Sequence, residues 1–160
     1  MTEHPLPPVT DRDVYITRTF DAPIGVVWRF WTDPDLLAQW FGPAGITTPR
    51  ETVTVDPVPG GAWNLEMTDD AGVYPLSATI VEIIENEYLE LVMSAEAGVG
   101  HIENVYVRIR FHDHGDTTRM TLHQGPFTPE HRDMTTAGWL ESFDKIDAIL
   151  MRNAPMGDAR

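Results

Sequence analysis

The sequence predicts an α+β domain. Three observations carry that reading: several short stretches of period-two apolar alternation, turn signals between them, and one long helical pattern near the C-terminal end. Val14, Ile16 and Phe20 alternate with Tyr15, Thr17 and Thr19, which makes a strand over 13–21. Ala22-Pro23 ends it, and residues 24–31 follow as a short helix carrying Val27, Trp28, Phe30 and Trp31. Asp33-Pro34 starts a second short helix, because aspartate accepts from the free amides of the first turn and proline fits the first helical position. Gly42-Pro43 stops that helix directly after two large rings, Trp40 and Phe41. Residues 45–50 read as loop, and Val53 and Val55 mark a strand that ends at Pro57–Gly61.

Residues 62–68 form the next strand, with Trp63, Leu65 and Met67 on one face. Asp69-Asp70-Ala71-Gly72 is a turn. Leu76–Ile84 and Tyr88–Ala95 make a hairpin around Glu85-Asn86-Glu87, and His101–His112 and Thr117–Gln124 make another around Asp113–Asp116. Thr128-Pro129 caps a last helix that runs to about Asn153. Trp139, Phe143, Ile146 and Leu150 recur on one face of it. The domain is placed at 13–153, with residues 1–12 and 154–160 as flexible tails.

The formal net charge is −14 and cysteine is absent. Phosphate backbones need a basic footprint, so nucleic acid is excluded as a partner, and an anionic membrane surface is a poor one. There is no disulfide framework or thiol chemistry. No apolar run is long enough to span a bilayer and no signal pattern opens the chain, so the cytoplasm is the expected compartment.

A short capped helix that delivers Trp40 and Phe41 to a turn suggests a wall over an apolar space. Trp31, Trp40, Phe41, Trp63, Met67, Tyr74, Trp139 and Phe143 form an apolar set suited either to core packing or to a ligand site, since such sites are mostly apolar with a few placed polar groups. Gly138 lies inside the last helix, where a close approach by a strand, lid or ligand would justify it. Val105, Val107, Ile109 and Phe111 share a strand face. If the strand runs on without a bulge, Glu103 and His101 continue that face toward the cavity as an acid–base pair or a polar clamp; otherwise they lie at a frayed rim.

His112-Asp113-His114 fits a turn better than a metal site, because converging ligands at known spacings are missing. No metal and no cofactor is expected. His4, His123 and His131 read as isolated and solvent-facing. Arg108, Arg110 and Arg119 fall on the outer strand face, either paired with acids such as Glu82 or Glu90 or forming a docking surface. No nucleophile elbow, P-loop or dinucleotide fingerprint occurs.

Six motifs occur in family order: Phe20-Asp21-Ala22-Pro23 with Val27-Trp28; Asp33-Pro34 through Leu37, Trp40 and Gly42-Pro43; Asp56 before Gly60-Gly61 and Trp63; Ile83 and Leu89; Phe111 and Thr118; and Gly138-Trp139. Over roughly residues 13 to 152 the chain resembles the AHSA-type proteins, homologues of the activator of the heat-shock-protein-90 ATPase, in the SRPBCC or START-like superfamily. The resemblance implies a helix-grip fold, like that of the birch-pollen allergen. In that fold a curved antiparallel sheet wraps a long C-terminal helix, two short helices follow the first strand, and a cavity lies between sheet and helix.

The fold serves many functions, so three readings stand beside one another. One is a binding protein for a hydrophobic metabolite, polyketide or lipid; some superfamily members sequester toxic natural products in this way and confer resistance. The second is an enzyme resembling a polyketide cyclase or dehydratase, with His101 and Glu103 as its catalytic candidates. The third is a co-chaperone-like interaction module. The eukaryotic activators carry a further N-terminal domain, whereas about twelve residues precede the first strand here, which argues against a chaperone partner.

Overall fold

The computed structural model describes residues 8–97 and 100–152. Its elements are β1 (Val14–Phe20), α1 (Ile24–Thr32), α2 (Pro34–Trp40), β2 (Thr54–Val55), β3 (Trp63–Asp69), β4 (Gly72–Ile84), β5 (Tyr88–Ala97), β6 (Gly100–His114), β7 (Thr117–Gly125) and α3 (Pro129–Arg152), with one 3-10 turn at Arg50–Thr52. The strands form one antiparallel sheet in the order β1-β7-β6-β5-β4-β3-β2. The first strand thus pairs with the last, in the register Val14↔Gln124 to Phe20↔Thr118.

The local chemistry explains the helix boundaries. Asp33 caps α2 by accepting the Asp35 amide at 2.9 Å, and Pro34 takes the first helical position. Thr128 accepts the His131 amide at 3.2 Å at the start of α3. Gly61 is required for a different reason: a Cβ there would meet the Asp56 carbonyl at 2.0 Å, so only glycine lets the chain fold back before β3.

Two ladders carry irregularities. In β4 the register shifts between Ile80 and Glu82. In β6, Met93 pairs with Val105 but Ala95 pairs with Ile102, so β6 holds one extra residue, and Asn104 has φ 57.

The core lies between the concave face of the sheet and helices α1, α2 and α3. Trp139, Ser142, Phe143, Ile146 and Ile149 are the buried residues of α3, and Leu150 packs partly buried against the core. The buried stripe therefore ends on Ile149 rather than Leu150, within the drift expected of a 3.6-residue period. Arg18 of β1 reaches across to α3, donating to Asp144 at 2.6 Å and Asp147 at 2.5 Å.

Of the three arginines expected on the outer face, Arg108 takes the acid-paired form. Arg108 lies 3.5 Å from Glu90 and over the ring of Tyr106, and Arg110 lies over the ring of Tyr88. Tyr88 donates to Glu90, and burial and that carboxylate both push its phenol well above the usual range.

His123 departs from its expected exposure. It is 3% exposed, with Nε2 3.0 Å from Asp13 Oδ2. Asp13 also accepts the Thr10 amide, Arg12 Nε donates to the Phe127 carbonyl, and Arg132 bonds the Asp11 carbonyl. Residues 10–12 are therefore tied to the end of β7 and the start of α3. A single histidine in a strand gives no sign of this in sequence, because its partner lies 110 residues away.

Two predictions follow from this architecture. Phe143 has no exposed surface, so Phe143→Ala should destabilise the fold by about 3–5 kcal/mol, read as a lower urea midpoint. The second concerns Asp13. Burial opposes its ionisation, but the hydrogen bonds from His123 and the Thr10 amide outweigh that and hold its carboxyl below the usual carboxylate range. A depressed carboxyl contributes stability above its unfolded pKa and loses it as pH falls through the folded one. The stability difference between wild type and Asp13→Asn should stay flat from neutral pH down to about pH 5 and shrink below about pH 4, measured by denaturation at each pH.

Candidate functional site

Six aromatic rings pack into one cluster beneath α3. Trp31 lies 4.9 Å from Trp40, 6.3 Å from Trp63 and 5.8 Å from Trp139, centroid to centroid. Phe41 meets Trp63 at 5.5 Å and Trp139 at 5.6 Å, both edge to face, and Phe143 stacks on Trp139 at 5.7 Å. A buried indole needs an acceptor for its N–H. Trp40 Nε1 donates to the Phe30 carbonyl at 2.7 Å and Trp63 Nε1 to the Trp31 carbonyl at 2.9 Å. Trp139 Nε1 donates to Gln124 Oε1 at 2.7 Å. Trp31 Nε1 is buried with no acceptor.

An apolar cavity of about 350 Å³ opens beside this cluster, between the sheet and the first half of α3. One wall is Phe41, Gly42, Pro43 and Ile46, the chain just after α2. The sheet supplies Met67, Tyr74, Leu76, Met93, Ala95 and Gln124, with Asp69 at the end of β3. Helix α3 supplies His131, Met134, Thr135, Gly138, Trp139 and Ser142. Its volume lies at the lower end of the range of small-molecule sites. Two other clefts are larger, at 640 and 680 Å³, but they run along turns at Gly45–Ala71 and around the Asp113–His114 hairpin end, lined largely by polar and charged residues. The apolar, aromatic-walled cavity is the one built like a ligand site.

Strand register explains what faces it. Leu65 pairs with Leu76 and Met67 with Tyr74, so Leu65, Met67 and Asp69 share the inner face of β3. Asp69 sits where that face ends. Its Oδ1 accepts the Ala71 amide at 2.8 Å, the Gly72 amide at 3.1 Å and the Tyr74 hydroxyl at 2.9 Å. The Ala71 amide and the Tyr74 hydroxyl hold its carboxyl below the usual carboxylate range, and Asp69 in turn raises the Tyr74 phenol.

Gly42, at φ 110, turns the chain out of α2 into the cavity wall. That wall is fastened to α3 by two side chains one turn apart. Glu141 accepts the Ala44 amide at 3.0 Å and Lys145 donates to the Ile46 carbonyl at 2.7 Å. Burial lowers the Lys145 ammonium below the usual lysine range.

Of the residues expected at a ligand, Phe41, Met67, Tyr74 and Trp139 line the cavity. Trp40, Trp63 and Phe143 do not. Each has no exposed surface and belongs to the packed cluster behind it, held there by neighbouring rings and, for the two indoles, by backbone acceptors. Glu103 is exposed and off the lining, and the side chain of His101 lies outside the described residues. The extra residue in β6 breaks the alternation on which that pair depended: Ile102, not Glu103, is opposite inward-facing Ala95.

His131 was expected to face solvent, but it is half-buried on the cavity, with its ring tilted against Phe127 at a centroid distance of 5.0 Å. It lies eight residues, two helical turns, before Trp139, so helix periodicity could have found it. Asp113 accepts the Gly115 amide within its turn, and among the described residues no group of three or more metal-ligating side chains converges. No described helix is long and apolar enough to cross a membrane.

A sheet gripping one long helix, with an apolar cavity between them, defines the class. Residues 21–151 match the family described as Activator of Hsp90 ATPase homolog 1-like protein, and the chain belongs to that family. No curated protein matches the sequence. Solved structures share the fold. An AHSA1 protein from Silicibacter pomeroyi superposes with a TM-score of 0.75 at 20% identity, over 87% of this chain and 97% of that one. A protein from Nitrosomonas europaea gives 0.73 at 23%, over 89% and 96%. A Staphylococcus epidermidis protein gives 0.76 at 17%, over 92% and 94%.

Gly138 yields a prediction. A Cβ there would come no nearer than 4.0 Å, to Pro43 Cγ, an ordinary contact. Gly138→Ala should therefore raise stability by up to about 1 kcal/mol through helix propensity. The added methyl group enters the narrow space between α3 and the Pro43 wall, so the same variant should bind an apolar probe more weakly in a fluorescence titration.

Proposed function

We propose that this protein binds a small hydrophobic molecule in the cavity between β3–β7 and the first half of α3. The observation that carries this reading is the apolar volume of about 350 Å³ left open beside a fully packed aromatic cluster. A sequence that buries six rings in one cluster leaves this space beside two of them, Phe41 and Trp139, with three methionines, Met67, Met93 and Met134, around it. Methionine is flexible and polarisable and suits a wall that must adapt to a guest. Family membership supports a ligand-binding fold. A hydrophobic metabolite, polyketide or lipid fragment of this size fits, and sequestration is the action such a site performs without chemistry.

The cyclase-like reading has less support, because Glu103 is exposed and off the lining. The docking reading is weakened at one of its three arginines, since Arg108 is paired with Glu90. We place the protein in the cytoplasm on the strength of its acidic, cysteine-free composition.

Titration with the neutral probe N-phenyl-1-naphthylamine should quench tryptophan emission saturably, because Trp139 borders the cavity. Ala95→Leu, which adds volume on the lining, should weaken the quenching by at least several-fold, and Trp139→Ala should alter its amplitude. Unchanged saturable quenching in Ala95→Leu would place the probe elsewhere and remove the main support for this reading.

A further inference from the structure

The charges around the cavity are one-sided. Among the described residues no arginine or lysine lines it, and Asp69 is the only carboxylate that does. The chain's single lysine, Lys145, is not on the lining and is engaged with the Ile46 carbonyl. His131 is the only other ionisable lining residue besides Tyr74. A fatty-acid or other carboxylate guest would therefore meet a fixed negative charge, with no guanidinium or ammonium to offset its desolvation.

Asp69 brings a carboxylate to the lining with one oxygen outside its turn bonds. Its three hydrogen bonds, from the Ala71 and Gly72 amides and the Tyr74 hydroxyl, all fall on Oδ1. They fix the carboxylate at the end of the inner face of β3 and favour its charged form, while Oδ2 takes part in none of them. The adjoining cleft continues the acidic character with Asp70. The walls add a second attraction. Tyr74, Phe41 and Trp139 present aromatic rings to the cavity, and ring faces attract a cation that has shed water.

We propose that the ligand class of this cavity is a cationic amphiphile, a compact aromatic or alicyclic body bearing a protonated amine, with the body between Phe41, Met93 and Trp139 and the ammonium at Asp69 Oδ2. The volume, about a dozen water molecules' worth, limits the body to roughly one or two fused rings. This inference rests on the hydrophobic-ligand reading above and adds the sign of the ligand's charge.

Three probes with one apolar body separate the two claims: 1-naphthylmethylamine, 1-naphthalenemethanol and 1-naphthoate, compared by isothermal titration calorimetry at pH 7.5 and low salt. The amine should bind about tenfold tighter than the alcohol, and the carboxylate weakest. Asp69→Asn keeps an Oδ1 acceptor for the turn amides and Tyr74 but removes the charge. In it the ratio of amine to alcohol affinity should fall toward one. The ratio should persist in His131→Gln. If the alcohol binds but the amine binds no tighter, or the carboxylate binds best, the charge assignment is overturned and the hydrophobic-ligand reading stands. Loss of the ratio in His131→Gln rather than Asp69→Asn also overturns it. If none of the three binds to the wild-type protein, both claims fall together.

Discussion

The need of buried indoles for hydrogen-bond acceptors organises this structure. A tryptophan buries more apolar surface than any other side chain but carries one N–H that must be met. Trp40 meets it at the Phe30 carbonyl and Trp63 at the Trp31 carbonyl, both in α1. Those two bonds lock α2 and β3 to the same short helix. Trp139 meets it at Gln124, a buried polar residue of β7, and so joins α3 to the strand that pairs with β1. The rings fill the centre and their N–H groups set the relative positions of five elements. Trp31, at the middle of the cluster, has its own N–H unmet, and packing on every side holds it there despite that cost.

The cavity follows from the same constraint. The cluster fixes the middle of α3 through Trp139 and Phe143. Toward its N-terminal half the inward side chains become small or flexible: Gly138, Thr135, Met134 and His131. The sheet opposite carries Ala95, Met93 and Leu76. Neither side has enough volume to close the gap, and the Gly42–Ile46 wall is kept from collapsing into it by Glu141 and Lys145. Packing density and open volume are thus divided between two halves of one interface.

Much of the fold was legible along the chain because its signals are local. Asp33-Pro34, Gly42-Pro43 and Thr128-Pro129 mark helix ends through backbone chemistry that acts within four residues. The hairpin around Asn86 and that around Gly115 sit where turn residues cluster, with φ 63 and φ 80 at those two positions. The site was legible only in part. Phe41, Met67, Tyr74 and Trp139 stood out by type and face, whereas Asp69 read as turn chemistry and His131 as a lone surface histidine. Both roles depend on elements far away in sequence.

What the sequence alone determined is the order and type of the elements, the α+β class and, through its motifs, the family. Apolar side-chain patterns of period two and 3.6 are properties of neighbouring residues and need no tertiary contact to be read. The tertiary structure decided which large rings pack and which ones wall a cavity. Trp40 and Phe41 are adjacent and alike in chemistry, yet Trp40 is wholly enclosed while Phe41 borders open volume. It also decided the facing of the β6 start, where one inserted residue beside Asn104 shifts the alternation and leaves Glu103 exposed. A bulge is set by the fit of two strands across a sheet, and a void by the fit of a helix over it; neither is encoded in the local pattern of one segment.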